Sequence, residues 1–465
     1  MRLPDGLVAV VKRDCPTCVL VEPVLRELGA AVWCQDDAGW FDGDDTELAL
    51  SYRLGIETVP TLMRVEGGAE ASRVVGWSRE QWEGLTGVTG LGRGLPPHRP
   101  GCGSLSVDPF RIDALEARYG GSGLGSRRVE LADLEDEHEA MFDRGWTDGL
   151  PVVPPTPERV LRLLRGTPRD PGDVVAIVPP DLVGCTVEKV AVNAVMAGCL
   201  PEHLPVVLAA LEAACTEEFA LHGLLATTYF SGPLVVVNGP IARRVGMNSG
   251  VNALGQGNRA NATIGRALQL VVRNVGGGRP GEIDRATLGN PGKLTSCFAE
   301  REQDSPFAPL AADRGVPGDA VTLFAGSGLQ PVVDQLSRTP ESLARTFAAC
   351  LRVNAHPKLP MAFDAMLVVS PEHGRVFREA GWDRARLLVE LEALLTLPSD
   401  ELLRGAAGIA EGIPGELAGI ELPKFRPGGL LVVHAGGDAG LFSAVVGGWV
   451  SGEAGSAPVT REVRA

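Results

Sequence analysis

The chain has 465 residues, which at roughly 150 residues per domain predicts two or three domains. Hydrophobic residues make up 45% and charged residues 22%, an ordinary globular balance that excludes wholesale disorder. Lys plus Arg number 43 against 58 for Asp plus Glu, a net charge of −15, which disfavours phosphate backbones and anionic lipid; neither nucleic acid nor membrane is expected as a partner. The 59 glycines and 35 prolines show no period and read as tight turns.

The amino end passes from Met1-Arg-Leu-Pro-Asp-Gly straight into an apolar run with no signal-peptide pattern, so a cytoplasmic location is expected. Nine cysteines, an odd number, are too few for a disulfide scaffold in a chain this long. Only Cys15 and Cys18 are closely spaced.

Residues 6–11 read as a buried strand, followed by Cys15-Pro16-Thr17-Cys18 and a helix ending at Gly29. A strand follows at 30–34, then a helix from Thr46, a strand at 59–65, a turn at 66–68, a strand ending at Trp77, and a helix capped by Ser78. Residues 89–145, rich in Gly, Pro and Arg at their start, read as a linker with short helices. Residues 146–455 alternate helices and strands, which predicts an α/β domain with mixed or parallel sheets. In that domain VTLFAGSG, MLVVSPEHG and LLVVHAGGDAG read as strands, each leading into a helix: LQPVVDQL, RVFREAG and LFSAVVGGW. Residues 456–465 read as a tail.

The Cys15–Cys18 pair has the spacing of a redox dithiol. A thiolate is the nucleophile in disulfide exchange, and a cysteine at a helix amino end feels about half a positive charge. Pro16 suits the first helical position, and Cys18, one turn on, is within reach to resolve a mixed disulfide. The pair is expected to be accessible and acidified, although the like charge of Asp14 is expected to raise the thiolate's pKa. The competing reading, half of a zinc site, lacks a second Cys or Cys/His pair at ligand spacing, so no metal is expected.

Segment 6–87 resembles a thioredoxin-fold domain lacking the extra amino-terminal strand and helix. The match rests on C-P-T-C between strand and helix, Val59-Pro60-Thr61 opening a strand, and Trp77 before a helix. The resemblance implies that Pro60 is cis and packs against the reactive sulfurs, and that Val59 presents backbone groups to a bound partner. Residues 145–455 resemble a group of uncharacterised bacterial proteins, through GWTDGLPVVPPT, TVEKVAVNAVMAGC and GNRANATIGRAL. Some of those proteins also carry a thioredoxin-like segment and a PGCGS linker; that resemblance implies no activity.

Other candidates are local. Cys199 with His203 has the minimal form of a nucleophile and its base, against the reading of a packed thiol and a solvated histidine. Cys185, before the N-cap Thr186, and Cys102, in an exposed-looking strap, are candidate second redox thiols, each weighed against simple packing. Asn248, Asn252, Asn258, Arg259 and Asn261 lie in a Gly/Asn-rich loop before a helix. They are expected to line a small polar or anionic substrate, unless the asparagines satisfy their own backbone. His373 and His434 follow strands and are acid–base candidates by position. These features point to a thiol-dependent redox enzyme whose dithiol serves the larger domain, by reduction or sulfur transfer. The alternative is a disulfide reductase or thiol-holding protein acting on a partner protein, with the larger domain for recognition or homo-oligomer formation. Neither reading calls for a cofactor.

Overall fold

The computed structural model describes residues 3–121, 123–132, 134–452 and 455–464. The chain divides into two compact units, Met1–Gly123 with Pro157–Leu161, and Leu124–Thr156 with Arg162–Ala465. Both mix helices with parallel and antiparallel strands, an α/β architecture.

In the first unit, β1 (Gly6–Val11) leads to α1 (Pro16–Glu27), β2 (Ala31–Cys34) and β3 (Gly43–Asp44). Then come α2 (Ala49–Arg53), β4 (Thr58–Val59), β5 (Thr61–Glu66), β6 (Ala69–Val75), β7 (Trp77–Ser78) and α3 (Arg79–Thr86). The main sheet runs in the order β3-β2-β1-β5-β6, with β1 parallel to β2 and antiparallel to β5. Val8 to Val11 are all buried, so the central strand is an unbroken apolar run and not an alternating one. Trp77 and Trp82 meet edge to face at 5.0 Å, and each indole N–H donates to a carbonyl, of Pro96 and Gly76 respectively.

Two expectations for this unit change. The helix expected from Thr46 is only Ala49–Arg53, because Leu48 takes a left-handed φ of 59° and the buried Asp45 carboxylate accepts from the Leu50 and Ser51 amides, fixing a later start. The stretch 89–145 is not a linker throughout. Its β8 (His98–Arg99) pairs with β7, its β9 (Cys102–Gly103) pairs with β4, and α4 (Ile112–Tyr119) follows within the same unit.

The second unit contains a small pair, β10 (Val174–Val178) and β11 (Val183–Thr186), and two larger sheets. One has β12 (Gly232–Asn238), β13 (Cys297–Ala299), β14 (Ala320–Gly326) and β21 (Val459–Glu462) in the order β13-β12-β14-β21. The other has β15 (Leu329–Val333), β16 (Phe363–Val369), β19 (Leu430–His434) and β20 (Phe442–Val450) in the order β15-β20-β16-β19. A short ribbon joins β17 (Thr396–Pro398) and β18 (Glu421–Pro423).

Alternation along the strands sorts the core. Leu234 and Val236 of β12, Phe324 of β14, Met366 and Val368 of β16, and Val446 of β20 form one cluster between the two sheets. Ala365, Leu367 and Val369 point the other way, onto helices Pro340–Arg352, Pro371–Glu379 and Arg384–Leu395. Helices Leu204–Ala214 and Arg259–Asn274 pack on the first sheet. The layers are helix, sheet, sheet, helix.

Here three expectations fail. LQPVVDQL and LFSAVVGGW are not helices but β15 and β20, paired antiparallel. β20 has Val445 in one core and Val446 in the other, so both faces are apolar and no period of two survives in its sequence. The tail is also structural: β21 pairs with β14.

Candidate functional site

Cys15 is the N-cap of α1, with extended φ and ψ of −141° and 110°, and its sulfur accepts from the Cys18 amide at 3.3 Å. The same sulfur lies 3.6 Å from the Val59 carbonyl oxygen, and the Val59–Pro60 peptide is cis, as the resemblance implies. Cys18 points inward, its sulfur accepting from the Lys12 amide at 3.4 Å.

The register of β4 against β9 sets Cys102 opposite Val59. That brings a third thiol to the strand edge against which the Cys15 sulfur rests. The strand carrying it is tied on both sides. Thr17 Oγ1 donates to the Pro100 carbonyl at 2.7 Å, and Lys12 Nζ to the Gly103 carbonyl at 3.2 Å. Beyond it the buried Gln35 donates to Ser104 Oγ at 2.6 Å and accepts from the Leu105 amide at 3.0 Å. Gly101 is required here: a Cβ would sit 2.4 Å from Thr58 Cγ2 and 2.6 Å from the Val59 oxygen. Cys102 is thus a fixed, half-buried strand residue and not part of an exposed, mobile strap.

These contacts set the thiol chemistry. The Cys18 thiol, above all, donates to Cys15 and holds it down at about 5, against burial and with help from Cys102 and the Cys18 and Thr17 amides. Asp14, expected to raise it, is exposed, and its amide donates to Asp36. Burial first, then the bond to Cys15, pushes Cys18 far up. Burial and the bond to Cys15 likewise raise Cys102. The expectation of an accessible thiolate fails in one respect: Cys15 and Cys18 are each 0% exposed. All nine cysteines are free.

The candidates of the second unit come out differently. Cys199 donates to the Thr263 carbonyl at 3.4 Å, and burial pushes it up to about 12. His203 Nδ1 accepts from the Leu200 amide at 3.1 Å, and burial lowers its pKa. Each of the two is bonded to backbone, and burial keeps both in their neutral forms. Cys185 lies in β11 directly before Thr186, which caps helix Val187–Ala197 as expected, but burial drives the thiol up to about 12, not down.

The asparagine loop holds itself together. Asn248 Nδ2 donates to the Val251 carbonyl and Asn252 Nδ2 to that of Gln256. Asn258 caps helix Arg259–Asn274 by accepting from the Asn261 amide and donates to the Gly246 carbonyl. Asn261 bonds Asn248 and Ala253, and Arg259 Nε donates to the Gly198 carbonyl. These amides hold the loop's own backbone. His373 bridges Ser443 and the Asp334 carbonyl, while His434 donates from Nδ1 to the Arg301 carbonyl. Among the described residues, no group of three or more His, Cys, Asp or Glu is placed to hold a metal ion, and no helix is long and apolar enough to cross a membrane.

Sequence reasoning gave no role to Lys12 and Gln35, which lie outside any motif, or to Thr17 and Ser104, which lie inside the C-P-T-C and PGCGS segments. The one available signal was Cys102 between two glycines. The chain matches no family model, no curated protein and no solved structure.

Proposed function

We propose that the chain is a thiol–disulfide oxidoreductase whose first unit is a thioredoxin-like domain, with Cys15 the nucleophile and Cys18 a resolving thiol. The observation that carries this reading is the ring of donors around Cys15, which keeps its sulfur charged at neutral pH. The strand order and the place of Cys15 at the start of α1 support it.

In the exchange, the Cys15 thiolate attacks one sulfur of a partner disulfide and releases one partner thiolate. Cys18 then gives up its proton and attacks the Cys15 sulfur, which forms Cys15–Cys18 and releases the second partner thiolate. The protein loses two electrons, the partner gains them, and a dithiol reductant restores the pair. The second unit's expected nucleophile and polar loop are bound up in its own backbone. That favours a separate thiol or disulfide partner over chemistry on a small molecule in that unit.

The test is exchange with oxidised glutathione in the full chain. Cys15→Ser is expected to abolish oxidation of the pair, and Cys18→Ser to leave Cys15 in a disulfide with another sulfur. Full exchange activity in Cys15→Ser sinks the reading.

A further inference from the structure

We propose that β9 is an internal partner strand seated on the edge of Val59, and that Cys102 is the thiol through which Cys15 exchanges with outside sulfur. This rests on the reading of Cys15 as the nucleophile and names its immediate partner.

The geometry is that of strand addition. β4 is two residues long, and β9 adds to it antiparallel, so that main-chain bonds set one side chain of β9 opposite Val59, whose carbonyl oxygen lies 3.6 Å from the reactive sulfur. That side chain is Cys102. Its two flanking residues are glycines, and Gly101 leaves no space for a Cβ against Thr58 and Val59, so the strand lies directly on the backbone it pairs with. The bonds to Pro100, Gly103, Ser104 and Leu105 hold the register on both sides of the thiol.

Accessibility then decides the route. Cys15 and Cys18 are fully covered, while Cys102 is only partly so. An outside sulfur meets Cys102 first. Cys15–Cys102 is the bond formed first on oxidation, and it passes to Cys15–Cys18 when the Cys18 thiolate attacks the Cys15 sulfur and releases Cys102. On the return from Cys15–Cys102, an outside thiolate attacks the Cys102 sulfur, forms a mixed disulfide there and expels the Cys15 thiolate, the better leaving group because it is the more acidic thiol. A second outside thiolate attacks the sulfur of its own kind in that mixed disulfide and releases Cys102, which takes a proton. Two outside thiols have become one disulfide, and two electrons have entered the Cys15/Cys102 pair. In the reverse direction Cys102 loses its proton and takes up one half of an outside disulfide, and the Cys15 thiolate, already beside it, displaces that half. Tethering makes this second step intramolecular, at an effective concentration of about millimolar or more. Burial is the first cause raising Cys18, and it persists throughout. Part of what raises Cys102 is Cys15 itself.

The experiment uses full-length Cys18→Ser in a glutathione redox buffer, quenched with acid, alkylated and peptide-mapped. The expected result is a Cys15–Cys102 cross-link whose yield does not change on dilution, with glutathione found on Cys102 as the buffer becomes more reducing. In a second variant, Cys102→Ser with Cys18 intact, Cys15–Cys18 is expected still to form from oxidised glutathione, but slower by an order of magnitude. Glutathione on Cys15 with Cys102 free, or an undiminished rate in Cys102→Ser, overturns this inference and leaves the oxidoreductase reading standing. No oxidation of Cys15 in any of these proteins overturns both.

Discussion

A sulfur held near pKa 5 by neighbouring donors behaves differently from an ordinary thiol, and pH separates the two. Cys15 is lowered, so its thiolate forms as pH rises through about 5. The rate of iodoacetamide labelling at Cys15, read by peptide mapping, is expected to rise through that pH and stay level to neutrality. An ordinary thiol would rise through about 8.5. Cover by β9 scales the rate down at every pH without moving the midpoint. A midpoint in the ordinary thiol range would mean that the hydrogen bonds do not hold a charge. The second residue-scale prediction concerns Arg384, which donates to Glu300 at 3.1 Å, to Asp313, and to the Val432 carbonyl at 2.9 Å. The Glu300 side chain is 1% exposed. Arg384→Met strands that carboxylate and is expected to lower stability by ~3–5 kcal/mol in urea unfolding. Adding Glu300→Gln should recover part of the loss, since the charge left without a cation is then gone.

At the scale of elements, the strand β9 offers a clean contrast between two glycines. Gly101→Val drives a side chain into Thr58 and Val59 and is expected to lift the strand, at a cost of ~1–3 kcal/mol. Cys15 labelling should then speed up. Gly103→Ala meets nothing within 4 Å and is expected to change neither. Equal labelling in the two variants would show that β9 is not what covers the sulfur. The same strand shows where sequence was legible. Cys15, Cys18 and Pro60 were readable because a dithiol at a helix start and a proline opening a strand leave local marks. The pairing of Cys102 with Val59 was not readable, because it spans 43 positions and depends on register. Strands β15 and β20 were misread because burial on both faces, or an edge position carrying Pro331, removes the alternation that marks a strand. The asparagine loop was ambiguous for another reason: an amide that binds a ligand and one that closes a turn have the same sequence.

Across the whole molecule several charges pull stability in opposing directions as pH falls. The net charge of −15 shrinks toward the pI of 5.1, which relieves self-repulsion. Burial raises Glu300 and Asp364, so whatever stability they lend is present below the unfolded carboxyl pKa and lost as pH rises through their folded values. His203, His373 and His434 act with the other sign. All three are buried in the second unit, and burial lowers each of them. Below the unfolded imidazole pKa, near 6.5, the unfolded chain binds protons that the folded one refuses, so their contribution falls as pH falls. A single profile of the wild type mixes these effects, whereas a difference isolates one. His373→Gln retains an amide able to donate to the Asp334 carbonyl and accept from Ser443, but it cannot titrate. The stability of the wild type minus that of the variant is therefore expected to decline below about pH 6.5, at up to ~1.4 kcal/mol per pH unit, until the folded imidazole protonates. Urea midpoints taken between neutrality and pH 5 measure it. A difference that stays flat would mean that His373 takes up its proton equally in both states, and that burial does not keep it neutral.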